Sequence, residues 1–443
     1  YTVSLRGEDG IYGSENEGYT AVDAGVYRIK AYLDAGNNYI PQYKEAILTI
    51  EKRTIELTWS DTTVFTYNSV LQGVKVTFGN IVNEESLTVT VKSYLSAVEQ
   101  RFSVNTGTEI QLGAIDAGEY RAEVINVDDG NYSLPLNTVC VYEINRKKAV
   151  FVWETDTLSG DYVTEWNGFT VEYCNTERSV YARLTSGATS ADDGKIYDGD
   201  DVSVEIYGGN ATNAGIYTAT AVRMTGADGG NYYFEINDNV SLTYEITKAD
   251  IYSIVLEDKT VPYNSTAYKL EVSSLETLYG DLLTVRYEGT VYENYGLSEI
   301  SGNSATNAGV YKVKAIIEET ENYYRYEKEA FLTVYRANLS GIEFKDKTDV
   351  YDTSFISTGE GSYVTEYGDF VYPSYTINGT TASGVEYSAS ANGYTEAGNY
   401  VVTATFAHSD IRNSNYVERV LEATLVILKA DMVFAEAFLT GGG

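Results

Sequence analysis

The sequence predicts an all-β protein of tandem immunoglobulin-like Greek-key β-sandwiches arranged as an extended rod. Composition is the first of three observations behind this. Tyrosine occurs 42 times and glycine 39 times in 443 residues. Aromatic and β-branched residues suit a pleated, half-buried surface, and glycine supplies the tight turns between strands. The second observation is a recurring pattern: an acidic or amide residue, then Ala-Gly-x-Tyr. It occurs at Asp23–Tyr27, Asp116–Tyr120, Asn213–Tyr217, Asn307–Tyr311 and Glu396–Tyr400. The third is the alternation that follows each copy, as in Tyr311-Lys312-Val313-Lys314-Ala315-Ile316, which marks a strand with one buried face.

The repeat organises the whole chain. Successive tyrosines of the pattern lie 93, 97, 94 and 89 residues apart, a spacing that suits one sandwich per repeat. An Asn-Tyr pair follows each tyrosine, at Asn38-Tyr39, Asn131-Tyr132, Asn231-Tyr232, Asn322-Tyr323 and Asn415-Tyr416. A strand ending in Lys or Arg then closes the unit. These landmarks predict complete repeats at 53–147, 148–248, 249–336 and 337–429. Residues 1–52 hold only the later strands of a repeat, and 430–443 are the opening strand of a further repeat or a tail. The first turn of each repeat is expected at Tyr67-Asn68-Ser69, Tyr263-Asn264-Ser265 and Tyr351-Asp352-Thr353. In the 148–248 repeat, Trp166-Asn167-Gly168 stands near that place.

A turn with glycine before a tyrosine that opens the penultimate strand is the sequence form of a tyrosine corner. Tyr27, Tyr120, Tyr217, Tyr311 and Tyr400 are therefore the expected structural corners. Linkers are nearly absent, which predicts limited bending and a rod of roughly 150–200 Å, from strands rising ~3.3 Å per residue. The incomplete ends read most simply as a window cut from a longer array. The alternative is strand donation, in which one molecule's C-terminal strand completes the first unit of the next.

Charge excludes several partners. The chain carries 64 acidic and 31 basic residues, a net of −33, so it repels phosphate backbones and bare anionic membranes. No run of 18 apolar residues is present to cross a membrane as a helix. The chain has one histidine, His408, and two cysteines, Cys140 and Cys174. One imidazole cannot supply zinc sites or triads across several repeats. Close carboxylate pairs arise by chance among so many acids, and filled sandwiches lack the cleft that glycoside hydrolysis needs. The chain reads as a non-enzyme with no obligatory cofactor. Cys140 is expected as a buried structural thiol; a bridge to Cys174 would have to cross a repeat boundary, so a free thiol is the preferred state of Cys174 and the bridge stays an open alternative.

These units resemble the MBG/YDG-type and other bacterial immunoglobulin-like repeats of Gram-positive surface proteins. The Ala-Gly-x-Tyr turns, Asn-Tyr pairs, Tyr-Asn-Ser or Tyr-Asp-Thr turns and closing strands carry the resemblance. It implies an extracellular, cell-surface stalk or adhesin, anchored by a part of the protein outside this segment, and contact with host glycan or mucin. Two sets of residues are candidates for binding. Asp192, Asp193, Asp198, Asp200 and Asp201 form an acidic loop that could ligate calcium, although a solvated loop is the plainer reading. Tyr232, Tyr233, Tyr323, Tyr324 and Tyr326 are the places where a glycan would stack, with cross-strand packing as the plainer reading. Three functions follow: a stalk displaying a binding element, a glycan- or mucin-binding module, or a subunit that assembles with other copies of itself.

Overall fold

The computed structural model describes every residue except 35, 83–84, 94–98, 158–164, 237 and 434–443. It divides into two compact units, one comprising 1–157, 177–211 and 216–244, the other the remaining residues. No helix among the described residues is long and apolar enough to cross a membrane.

Within the first unit, residues 53–147 give the clearest sandwich. Alternate residues of Gln72–Gly79 point inward, with Val74, Val76 and Phe78 buried and Lys75 exposed between them. The same period of two buries Val89 and Val91, then Tyr120, Ala122 and Val124, then Tyr142 and Ile144. Five strands form one sheet in the order Glu99–Val104, Leu87–Ser93, Gly118–Val127, Val139–Asn145, Val64–Thr66. The opposing sheet runs Glu109–Ala114, Gln72–Gly79, Glu56–Trp59. Ladders in these two sheets are antiparallel except where Val64–Thr66 runs parallel to the closing strand, and Tyr132–Ser133 pairs in parallel with Arg53–Thr54 beside them. Side chains from both sheets meet in one core, and this strand order is that of an immunoglobulin-like Greek key.

Residues 1–52 form a single four-stranded sheet in the order Asn16–Glu17, Thr2–Leu5, Gly25–Leu33, Gln42–Ile50. The first unit also holds the three-stranded sheet Phe151–Thr155, Arg178–Leu184, Asn210–Ala211 of the 148–248 repeat.

The second unit repeats the arrangement twice. Residues 337–429 place Lys347–Val350, Arg419–Leu428, Gly398–Phe406, Ser374–Thr381 and Glu386–Ala389 in one sheet, with Ile356–Ser357 and Gly393–Tyr394 as a small second one. Residues 249–336 place Lys259–Pro262, Tyr326–Tyr335, Gly309–Ile317 and Arg286–Asn294 together, with Tyr268–Lys269 paired to Ser304–Ala305. In both repeats the first strand again runs parallel to the closing strand.

Candidate functional site at the repeat joints

The recurring motifs converge where one repeat meets the next. Tyr27, Tyr120, Tyr311 and Tyr400 each donate a hydroxyl hydrogen bond to the backbone carbonyl four residues upstream, on Asp23, Asp116, Asn307 and Glu396, at 2.7, 2.5, 2.5 and 3.0 Å. Tyr217 stacks on Tyr244 at 5.4 Å, as Tyr120 stacks on Tyr142 at 5.2 Å. At Glu396-Ala397-Gly398 the turn needs glycine because the neighbouring backbone passes so close. A Cβ at Gly398 would lie 2.5 Å from the carbonyl oxygen of Thr380.

Each closed corner presents the amide of its alanine to the following repeat. Ala24, Ala117, Ala214 and Ala308 donate N–H bonds of 2.7–2.8 Å to the Oδ1 atoms of Asn131, Asn231, Asn322 and Asn415. The Nδ2 of each asparagine returns a bond to the first residue of the corner: Asp23, Asp116, Asn213 and Asn307, at 3.2, 3.0, 3.2 and 2.9 Å. An amide is needed here because it both accepts and donates, whereas a carboxylate only accepts. The backbone beside each asparagine also grips the chain between repeats. Arg53, Ala249 and Ala337 donate N–H bonds to the carbonyls of Asn131, Asn322 and Asn415, and Lys147 pairs in parallel register with Tyr232.

A second cluster lies beside the first. Tyr67, Tyr173 and Tyr263 belong to the earlier repeat. Each is followed two residues later by a residue of positive φ: Ser69, Asn175 and Ser265. Their hydroxyls donate to a carboxylate of the next repeat: Asp200, Asp281 and Asp369, at 2.8, 2.9 and 2.7 Å. The tyrosine of the Asn-Tyr pair donates to the same oxygen, from Tyr232, Tyr323 and Tyr416, at 2.6, 2.7 and 2.5 Å. The two rings meet edge-on, with centroids 5.4–5.6 Å apart, the geometry that aromatic quadrupoles prefer. Burial, then the bonds to Ser69 and Asp200, sets the Tyr67 phenol, which is pushed up to about 12. Burial likewise raises Tyr173, Tyr263, Tyr232, Tyr323 and Tyr416.

Apolar packing continues through these contacts. In the first unit one core joins Ile55, Val74 and Tyr142 to Ala149, Ile196 and Tyr232 of the next repeat. In the second unit, one core joins Tyr263, Val313 and Leu332 to Leu339, Phe406 and Tyr416. Repeats 53–147 and 148–248, and repeats 249–336 and 337–429, therefore share cores instead of meeting at a wet surface.

The structure redistributes the expected binding residues. Tyr232 and Tyr323 are buried in the joints and offer no face for a sugar ring. Tyr233 and Tyr324 are exposed, and Tyr326 is partly buried, with its hydroxyl donated to the carbonyl of Ile254. The acidic loop does not converge on a cation. Asp193 accepts from Lys147 Nζ at 2.8 Å and from the amides of Thr189, Ser190 and Lys195, and the bond from Lys147 chiefly holds its carboxyl well below the usual range. Asp200 serves the joint, Asp201 accepts from the amide of Ala227, and Asp192 and Asp198 are exposed. Among the described residues, no three His, Cys, Asp or Glu side chains gather as metal ligands.

Two further expectations are corrected. The first turn of the 148–248 repeat is Tyr173-Cys174-Asn175, not Trp166-Asn167-Gly168, since Tyr173 occupies the position of Tyr67 and Tyr263 and its amide bonds the closing-strand carbonyl of Thr247. Cys140 is only partly buried; Cys174, in that turn, is buried, and both are free thiols. The joint carboxylates themselves were missed, although a signal existed in Tyr197-Asp198-Gly199-Asp200, Tyr279-Gly280-Asp281 and Tyr367-Gly368-Asp369.

No family model matches the chain, and no curated protein does. Solved structures with which it aligns include Drosophila N-cadherin EC1-4, at 10% identity over 83% of this chain and 96% of that one, TM-score 0.20. Domains 4–9 of the surface layer protein SbsC align at 11% identity over 95% and 71%, TM-score 0.21. A SusE-like surface-located polysaccharide-binding protein of Bacteroides thetaiotaomicron aligns at 11% identity over 97% and 67%, TM-score 0.15. At such scores the fold rests on the strand order of the chain itself.

Proposed function

We propose that this chain is a structural and adhesive repeat region of an extracellular bacterial surface protein, a stalk that holds a binding element away from the cell. The observation that carries this reading is the joint. The same amide bridge occurs four times and the same Tyr-carboxylate-Tyr cluster three times. Flexible linkers would have relatively few contacts across them, and repeats that merely touch would behave as mobile neighbours. Amide bridges at four joints, with shared cores at two of them, instead couple neighbouring sandwiches, which is what a stiff spacer requires. The net charge of −33 keeps such a spacer soluble.

Small-angle scattering on the full chain tests the reading. A stalk has a maximum dimension of roughly 150–200 Å, from about 35–40 Å per sandwich at ~3.3 Å per residue, and its flexibility increases in an Asp200→Ala, Asp369→Ala double variant. A compact particle, or a wild type as flexible as that variant, would contradict it.

A further inference from the structure

We infer that Tyr387 and Tyr394 are a site of oxidative cross-linking, at which a one-electron oxidant joins the two rings as dityrosine. Neither residue takes part in a joint, so the inference does not depend on the stalk reading.

The two tyrosines come from different sheets of the 337–429 repeat. Tyr387 lies on Glu386–Ala389, the edge strand of the five-stranded sheet. Tyr394 lies on Gly393–Tyr394, which pairs with Ile356–Ser357 in the small second sheet. Their rings meet between the sheets and stack, with centroids 3.7 Å apart and planes inclined by 27°. Aromatic pairs in proteins ordinarily hold their centroids about 4.5–7 Å apart. Among the described residues, the other tyrosine pairs of this chain keep to that range, at 5.2–6.2 Å. The pair is also particular to this repeat. Six residues before the corner tyrosine the other copies carry Ala21, Ala114, Ala211 and Ala305, where this one carries Tyr394.

The stack prepares the rings for coupling. Loss of one electron and the hydroxyl proton turns a phenol into a phenoxyl radical, whose spin spreads to the ring carbons ortho to oxygen. Two such radicals combine when those carbons touch, and carbon atoms touch at about 3.5–4.0 Å. The new bond joins one ortho carbon of each ring. Each of those carbons then loses its proton as its own oxygen regains one. The net change is the loss of two electrons and two protons, which reduce one hydrogen peroxide to two waters when a haem peroxidase turns it over. Tyr387 and Tyr394 are each partly buried, so an edge of the stack reaches solvent. Tyr400, beside them, is a poorer partner. It meets Tyr394 edge-on at 5.4 Å, is 1% exposed, and donates its hydroxyl to the Glu396 carbonyl. The cross-link would tie the small second sheet, whose strands are two residues each, to the main sheet of the same repeat.

Oxidation of the full chain at low micromolar concentration, with hydrogen peroxide and a haem peroxidase, tests this. Digestion and tandem mass spectrometry read the product. The expected result is a peptide two hydrogens lighter than its parent, without backbone fragments between 387 and 394, formed ahead of any other tyrosine pair and accompanied by dityrosine fluorescence. Tyr387→Phe and Tyr394→Phe keep the rings, and so the fold, and each abolishes that product. In denaturant the preference for this pair disappears, because the stack and not the short stretch of chain between the two residues selects it. Links scattered among exposed tyrosines such as Tyr32 and Tyr43 would overturn the inference. So would a product that persists in either variant, or one that forms equally well in the unfolded chain.

Discussion

Two joints, one in each compact unit, solve the same problem with different supports. At the first, Asp200 receives Tyr67 and Tyr232; at the second, Asp369 receives Tyr263 and Tyr416. The Asp369 turn is braced by Thr365, whose hydroxyl meets Tyr416 and accepts the Asp369 amide, while its own amide bonds the Asp369 carbonyl. The Asp200 turn has no such threonine. There the amide of Tyr197 donates to the Tyr232 hydroxyl, and Lys147, fully buried, ties the preceding loop through Ser190, Ala191 and Asp193. The difference teaches which parts are fixed by chemistry. Two buried phenols need one shared acceptor, since a stranded buried hydroxyl costs about 1–3 kcal/mol. The brace behind the acceptor only has to hold it still.

Removing that acceptor should have the largest effect. Asp200→Ala removes the acceptor of the Tyr67 and Tyr232 hydroxyls and Asp369→Ala that of Tyr263, Tyr416 keeping Thr365, and each is expected to destabilise the affected pair of repeats by about 1–3 kcal/mol per stranded hydroxyl. Chemical denaturation, followed as a multi-step transition, would detect it; an unchanged profile would mean that the cluster does not couple the repeats. Asn231→Ala and Asn415→Ala each leave a corner amide unpaired, with an expected loss of about 1–3 kcal/mol and faster exchange at Ala117 or Ala308.

Braces should be separable where the acceptor is not. Lys147→Met is expected to lower the transition that involves residues 53–248 and leave that of residues 249–429 in place. Scanning calorimetry distinguishes this from a uniform shift. Gly296 has φ +124°, and a Cβ there would lie 2.8 Å from Ser414 Cβ of the following repeat. Gly296→Ala is therefore expected to cost about 1–3 kcal/mol through backbone strain alone, confined to the second unit.

The smallest effect at neutral pH, though general, is alkaline weakening. Unfolded tyrosines titrate near 10, while burial pushes Tyr67 up to about 12 and raises its counterparts. The folded chain thus holds these protons more tightly. Their contribution is complete below about pH 10 and is lost as pH rises toward 12, because the unfolded state releases protons first. Melting temperatures flat to pH 9 and falling beyond 10 would agree with this account. Phenols titrating at their unfolded value would not.

How much of this was legible in the sequence depends on whether a residue's work lies inside its own repeat. Strand alternation and the corner tyrosines recur at nearly constant spacing, and both act locally, so pattern alone pointed to them. The Asn-Tyr pairs recur as regularly, yet Tyr232 and Tyr323 stood out as surface platforms, because a tyrosine in a Gly-rich turn looks exposed until a neighbouring repeat covers it. The joint carboxylates hid behind variable spacing: Asp200 follows Tyr197 by three residues, Asp281 follows Tyr279 by two. Asp200 also sat among enough other acids to suggest a cation loop. In the 148–248 repeat, Cys174 and Asn175 replace the Asn-Ser of other first turns, and the substitution hid Tyr173. The thin second sheets of the later repeats, with two-residue strands such as Ser304–Ala305, are too short for periodicity to register.

Amide hydrogen exchange at the five corner alanines tests the central claim most directly. The account predicts slow exchange at Ala24, Ala117, Ala214 and Ala308, each held by an asparagine of the next repeat, and fast exchange at Ala397 in dilute solution. Five alanines exchanging at one fast rate would contradict it, since the repeats would then meet without the joints that make them a stalk.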